Sequence, residues 1–168
     1  VRLGSIEPER MDKEMIARLA AQPKFCPQFH LSLQSGCDNT LKAMNRHYNC
    51  SEYAEIVTNL RNAFENSSMT TDVMVGFAGE TEEDFNASLK FVKSIGFAKV
   101  HIFPYSRRKG TVADKAPNQI DPQIKEQRAK IMEQVCDETR REFLKDQVGL
   151  CESVLVERLR HGYLEGYT

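Results

Sequence analysis

The chain has 168 residues, 40% of them hydrophobic and 28% charged, with a net charge of −1. That length holds one domain with a sizeable core, and the balance of charge excludes a global field of the kind that marks many nucleic-acid binders. No run is apolar and long enough to span a membrane, and the first residues do not resemble a signal peptide.

In chain order, Val1 to Ile6 reads as a short strand, and Pro8 suits the first turn of a helix with Met11, Ile16, Leu19 and Ala20 on its apolar side. Phe29 to Leu33 alternates as a second strand. Asp38 is then the expected N-cap of a short helix through Met44. Ser51 is the expected cap of a longer helix carrying Tyr53, Ile56, Val57, Leu60 and Phe64 at helical spacing. Residues 70–75 form a third strand ending in Gly76. Thr81 and Asp84 make a capping box for a helix to Ile95, which Gly96 closes. Lys99 to Phe103 is a fourth strand. Pro117 to Asp121 reads as a linker, and the charged stretch to about Gln147 as one long helix with Ile124, Ile131, Val135, Phe143 and Leu144. Glu152 to Leu159 is a last strand before a glycine turn. The β-α-β-α-β-α-β order implies an α/β fold with a parallel sheet and right-handed crossovers. Both ends look like cuts through a larger protein.

Each of the four strands ends in polar or glycine-rich sequence, and in βα barrels such ends line the ligand site. These ends are Ser5 and Glu7; Gln34, Ser35 and Gly36; Gly76 to Glu80; and Tyr105 to Lys109. Plainer readings stand beside these. Gln34–Ser35 also fits a turn capping the next helix, and Glu7 a solvated charge at a helix start. Asp72, inside a strand, needs a partner to offset its desolvation. His30 and His101, lone histidines on strands, read as satisfied barrel residues. Arg107, Arg108 and Lys109 form the one concentrated basic run. Beside Tyr105 it suits a phosphate backbone and a stacked base, but it also suits a solvated loop. Cys26, Cys37, Cys50, Cys136 and Cys151 show no CxxC or CxxxCxxC spacing, so no metal site is expected. The odd count argues for reduced, cytoplasmic thiols.

The segments RLGSIEP, HLSLQSG with LKAMNRHY, TTDVMVGFAGETEEDF and HIFPYSRRKGT resemble the carboxyl-terminal half of the radical S-adenosylmethionine (SAM) methylthiotransferases. These enzymes add a methylthio group to tRNA adenosines or to a ribosomal protein. HIFPYS and SIEP look most like the branch acting on N6-threonylcarbamoyladenosine at position 37 of tRNA. The alternatives are the branch acting on isopentenyladenosine, the ribosomal-protein branch, or a non-catalytic half barrel that binds a nucleotide or RNA. The resemblance implies a partial (βα) barrel over residues 1–116, half of a radical SAM TIM-like barrel. A linker and long helix over 117–150 and the start of a TRAM-type β domain over 151–168 would follow.

It further implies SAM as cofactor, with Gln34 and Ser35 near its ribose and Arg46 near its carboxylate. Val75, Gly76 and Phe77 would meet its adenine, with Phe103 and Tyr105 flanking. Arg107, Arg108 and Lys109 would meet tRNA. The family's CxxxCxxC motif is absent from this sequence, so ligands for a 4Fe–4S cluster are expected outside it and the piece itself is expected to be inactive. Ala78 stands where the family commonly has proline. A sheet stripped of its first strands leaves its inner face and the open strand edge at Val1 to Ser5 uncovered, and the piece is expected to self-associate through this surface.

Overall fold

The computed structural model describes residues 1–167. Four strands form one parallel sheet in chain order: β1 (Ser5–Ile6), β2 (Gln28–Leu31), β3 (Ser68–Val75) and β4 (Lys99–Pro104). The register pairs Ser5 with His30, His30 with Thr70, and Thr70 with Lys99. Helices α1 (Lys13–Ala20), α2 (Asp38–Ala43), α3 (Cys50–Ala63) and α4 (Glu82–Ile95) follow the first three strands. The long α5 (Pro122–Asp146) packs along α4 and β4. An antiparallel hairpin, β5 (Leu155–Arg160) and β6 (Tyr163–Tyr167), closes the described chain. This is the expected partial barrel of parallel strands.

Period-two burial decides which side of the sheet the helices cover. On β3, Met69, Thr71, Val73 and Val75 are buried, while Ser68, Thr70, Asp72 and Met74 are only half buried. Phe29 and Leu31 of β2 join the buried side, with Val100 and Ile102 of β4 packed at its margin. Tyr53 of α3 fills the middle of this layer. Its hydroxyl donates to the Leu31 carbonyl at 3.0 Å, and its ring meets Phe97 edge-on.

The opposite side carries Gln28, His30, Thr70, Asp72, Met74, His101 and Phe103, and no helix of the described residues lies on it. The uncovered face is therefore mainly polar. Val73, Val75, Val100 and Ile102 pack on the helix side, so the apolar part of the expected inner surface is reduced to Met74 and Phe103.

Several local expectations are corrected. The first strand is two residues long, because Val1 is 81% exposed and burial does not hold the segment in register. Pro8 opens only a 3-10 turn through Arg10. The helix starts after Asp12, whose side chain accepts from the Met15 amide at 2.7 Å. Cys37, not Asp38, occupies the cap position of α2, and Asp38 instead accepts from the Cys50 amide. Asn49, not Ser51, caps α3, forming a capping box with Glu52. The buried stripe of α5 is Arg128, Ala129, Met132, Cys136 and Thr139, whereas Ile124 and Leu144 are exposed. The box of Thr81 with Asp84 and the left-handed Gly96 stand as expected.

Candidate functional site

The carboxyl ends of the strands converge where the loops after β2, β3 and β4 meet. Gln34 extends β2 past its last residue. Its amide donates to the Asp72 carbonyl at 2.9 Å, and its carbonyl accepts from the Met74 amide at 2.8 Å. These two bonds hold Gln34 at a φ of +67°, a left-handed conformation that costs a non-glycine residue about 1–2 kcal/mol. Ser35 is fully buried, and its hydroxyl accepts from the Cys37 amide at 3.3 Å, so it makes the local turn into α2. Gly36 lies against α4. A Cβ there would sit 2.8 Å from the Ser88 carbonyl oxygen, which is why only glycine fits.

After β3 the chain turns through Gly76 at a φ of +69°. Phe77 then packs edge-on to Tyr105 with ring centroids 5.0 Å apart. The Tyr105 amide donates to the Val75 carbonyl, which joins this turn to the end of β4. Lys125 of α5 donates to the Tyr105 carbonyl at 3.0 Å and lies over its ring. The Tyr105 hydroxyl is buried without a partner among the described residues. Phe103, by contrast, lies on the open face beside Met74 and is 50% exposed.

A polar network runs over the open face. Asp72 finds its partner in His30, with Nε2 3.3 Å from the carboxylate. His30 Nδ1 is 3.0 Å from the Thr70 hydroxyl, which also accepts from Gln28 Nε2 at 3.1 Å and can donate to the Phe29 carbonyl. Both ring nitrogens of His30 therefore have a polar neighbour, Thr70 at Nδ1 and Asp72 at Nε2. The ring of His101 lies 6.0 Å from that of His30.

Other expected residues sit apart from this convergence. Arg46 donates to Glu7 at 2.9 Å in a part-exposed pair at the β1 side. Arg107 is bound to Asp114 through Nε at 2.9 Å and to its carbonyl through Nη2 at 2.7 Å, while Arg108 and Lys109 are exposed. No three metal-ligating side chains converge among the described residues. Burial pushes the thiols of Cys37, Cys50 and Cys136 upward, Cys136 to about 12, which disfavours the thiolate a metal needs.

Sequence reading missed one group at this site. Glu80, in the turn after β3, is buried and forms an ion pair at 2.7 Å with Arg128, also buried, from α5. The signal was present, because Arg128 falls in the same stripe as Met132 and Cys136. An arginine there has to find a carboxylate.

Against known proteins, the radical SAM superfamily matches residues 4–92. The threonylcarbamoyladenosine tRNA methylthiotransferase MtaB of Thermotoga maritima is 36% identical over 168 residues, covering 99% of this chain and 39% of that protein. The tRNA-2-methylthio-N(6)-dimethylallyladenosine synthase of Endomicrobium trichonymphae is 34% identical, covering 100% of this chain and 40% of that protein. The chain thus spans about two fifths of the length of these relatives. Among solved structures, coproporphyrinogen III oxidase from Escherichia coli, a radical SAM enzyme, shares the fold. Its TM-score is 0.68 at 16% identity, over 80% of this chain and 31% of that one. With the superfamily match spanning more than half of the chain and the parallel half barrel in place, the chain belongs to the radical SAM superfamily.

Proposed function

We propose that this chain is part of a radical SAM tRNA methylthiotransferase, and that its open sheet face and strand-end loops form part of the pocket for SAM and the substrate adenosine. The observation that carries this reading is the uncovered polar face. A sheet side with partnered His30 and Asp72, an exposed Phe103 and a strained Gln34 at its rim is built to meet a ligand. A second layer of core would have required apolar residues there. The names of the relatives, which divide between threonylcarbamoyladenosine and dimethylallyladenosine, support an N6-substituted adenosine of tRNA as substrate. The segments HIFPYS and SIEP favour the threonylcarbamoyl form. The reaction would then belong to the cytoplasm.

When bound, SAM would supply the methyl carbon and, on one-electron reduction by the cluster, the radical, the sulfur coming from a donor outside this chain. The donors present fit it. Phe103 offers a ring to adenine, and Gly76 brings backbone close to the ligand. The side chain of Gln34 is directed by its fixed backbone, and Arg46 has a carboxylate partner, Glu7, that a ligand carboxylate can replace. Val75, Phe77 and Tyr105 support this loop from below, and Ser35 fixes the turn that carries Gln34. The cluster is a different matter. The described residues offer no ligand set for it, so its thiolates are assigned to the remainder of the protein, and this chain by itself is proposed not to cleave SAM. Arg108 and Lys109, with Arg107 anchored on Asp114, are proposed to meet tRNA phosphates, and residues 151–168 to begin a TRAM-type domain.

Nucleoside mass spectrometry of tRNA from cells lacking the complete protein tests the reading. The expected result is loss of the methylthio group from N6-threonylcarbamoyladenosine, restored by the complete gene. Loss confined to isopentenyladenosine would move the protein to the other branch. Unchanged nucleosides would refute the assignment to tRNA.

A further inference from the structure

The turn between Gly76 and Glu80 does not hold itself. Glu80 folds back so that its Oε2 accepts from the Gly76 amide at 2.7 Å, deep inside the molecule. A carboxylate in that place is costly without a cation. The cation comes from outside the barrel. Arg128 of α5 donates through Nη1 to the same Oε2 at 2.7 Å and to the Glu80 carbonyl at 3.0 Å. Its Nη2 reaches Glu82 at 3.2 Å, and its guanidinium lies over the Phe85 ring. Two further contacts, one from the chain leading into α5 and one from its first turn, repeat the pattern. The Gly79 amide donates to the Asn118 carbonyl at 2.9 Å, and Lys125 packs so close to Gly76 that a Cβ would lie 2.4 Å from its Cγ.

We infer that Arg128 is a positioning residue. By neutralising Glu80 it locks the backbone of Gly76 and Phe77 into the shape that receives the adenine of SAM, so α5 completes a site whose ligand contacts all lie on the barrel. This rests on the function proposed above. The contacts make the dependence specific. The Glu80 oxygen bonded to Arg128 is the one that fixes the Gly76 amide, so loss of the guanidinium frees the amide where the ligand is expected.

The test compares Arg128→Met, Arg128→Lys and, as a control, Glu138→Gln in the complete, cluster-loaded protein. Glu138 pairs with Lys93 at 3.0 Å between the same two helices but far from the turn. Arg128→Met should raise KM for SAM about tenfold with kcat unchanged, as expected for a site displaced by a fraction of an ångström. It should also speed hydrogen exchange at the Gly76 amide. Arg128→Lys should fall between it and wild type, and Glu138→Gln should match wild type. An unchanged KM in Arg128→Met overturns the inference and leaves the proposed function standing. Failure of the wild type to bind SAM removes that function and this inference together. Unaltered exchange at Gly76 overturns the lock in either case. Should Arg128→Met not fold, Glu80→Gln is read in the same assays. A raised KM and faster exchange support the inference, and wild-type values overturn it.

Discussion

Asp84 shows how one side chain ties the loops of this site together. Its Oδ1 accepts from Asn39 at 2.9 Å and from the Cys37 thiol at 3.2 Å. Its Oδ2 accepts from the Thr81 amide at 3.0 Å and from the Thr81 hydroxyl at 2.8 Å. Burial opposes the charge, but these hydrogen bonds outweigh it and hold the carboxyl at about 2, below its ordinary 3.8. A depressed acid contributes stability that is fully present above its unfolded value and is lost as the pH falls through the folded one. Urea midpoints of the wild type should therefore decline between pH 3.8 and about 2. Asp84→Asn should be less stable at neutral pH and flatter across that window. An equal slope in the two proteins would show that Asp84 is not the linked group.

At the scale of elements, the sequence was most legible where one residue type answers one geometric need. Thr81 with Asp84 announced the start of α4, and Gly96 its end, because the box and the left-handed cap have few substitutes. The strand expected over residues 70–75 is β3, which starts two residues earlier, at Ser68. The cap of α3 was misplaced although its signal was complete. Asn49 has Glu52 three residues on, which Ser51 lacks. The face of α5 was misread because Ile124 and Leu144 are more apolar than Arg128, and only the tertiary partner Glu80 explains why arginine is the buried one. The outward set of the sheet was not legible either, since alternation divides a strand into two faces without saying which one the helices take. Gly36 gives an element-scale prediction. A Cβ there would lie 2.8 Å from a carbonyl oxygen of α4 and 2.9 Å from Phe91 Cβ, neither of which can swing aside. Gly36→Ala should destabilise the fold by about 1–3 kcal/mol in denaturant titration. Wild-type stability would show that α4 yields freely.

At the scale of the whole molecule, two surfaces lack cover and differ in chemistry. The open sheet face is polar and hydrogen-bonded. The hairpin of β5 and β6 exposes Leu155 and Tyr163 at 72% and 76%, on a two-stranded ribbon that is marginal in isolation. Amides of β5 should therefore exchange faster than those of β3 in hydrogen-exchange mass spectrometry. Equal protection would mean that the hairpin is stabilised by a partner. No helix among the described residues is long and apolar enough to cross a membrane. On the sheet face, Phe103 is an exposed aromatic ring, set beside Met74 on the side the helices leave free. The most direct test is equilibrium dialysis of labelled SAM against the complete, cluster-loaded protein as wild type, Phe103→Ala and Lys90→Ala, the last on the exposed side of α4. Loss of a stacking platform worth about 1–3 kcal/mol should weaken binding in Phe103→Ala by about 5- to 150-fold, with Lys90→Ala equal to wild type. Equal affinity of Phe103→Ala and wild type, or no binding by either, would contradict the placement of SAM on this face.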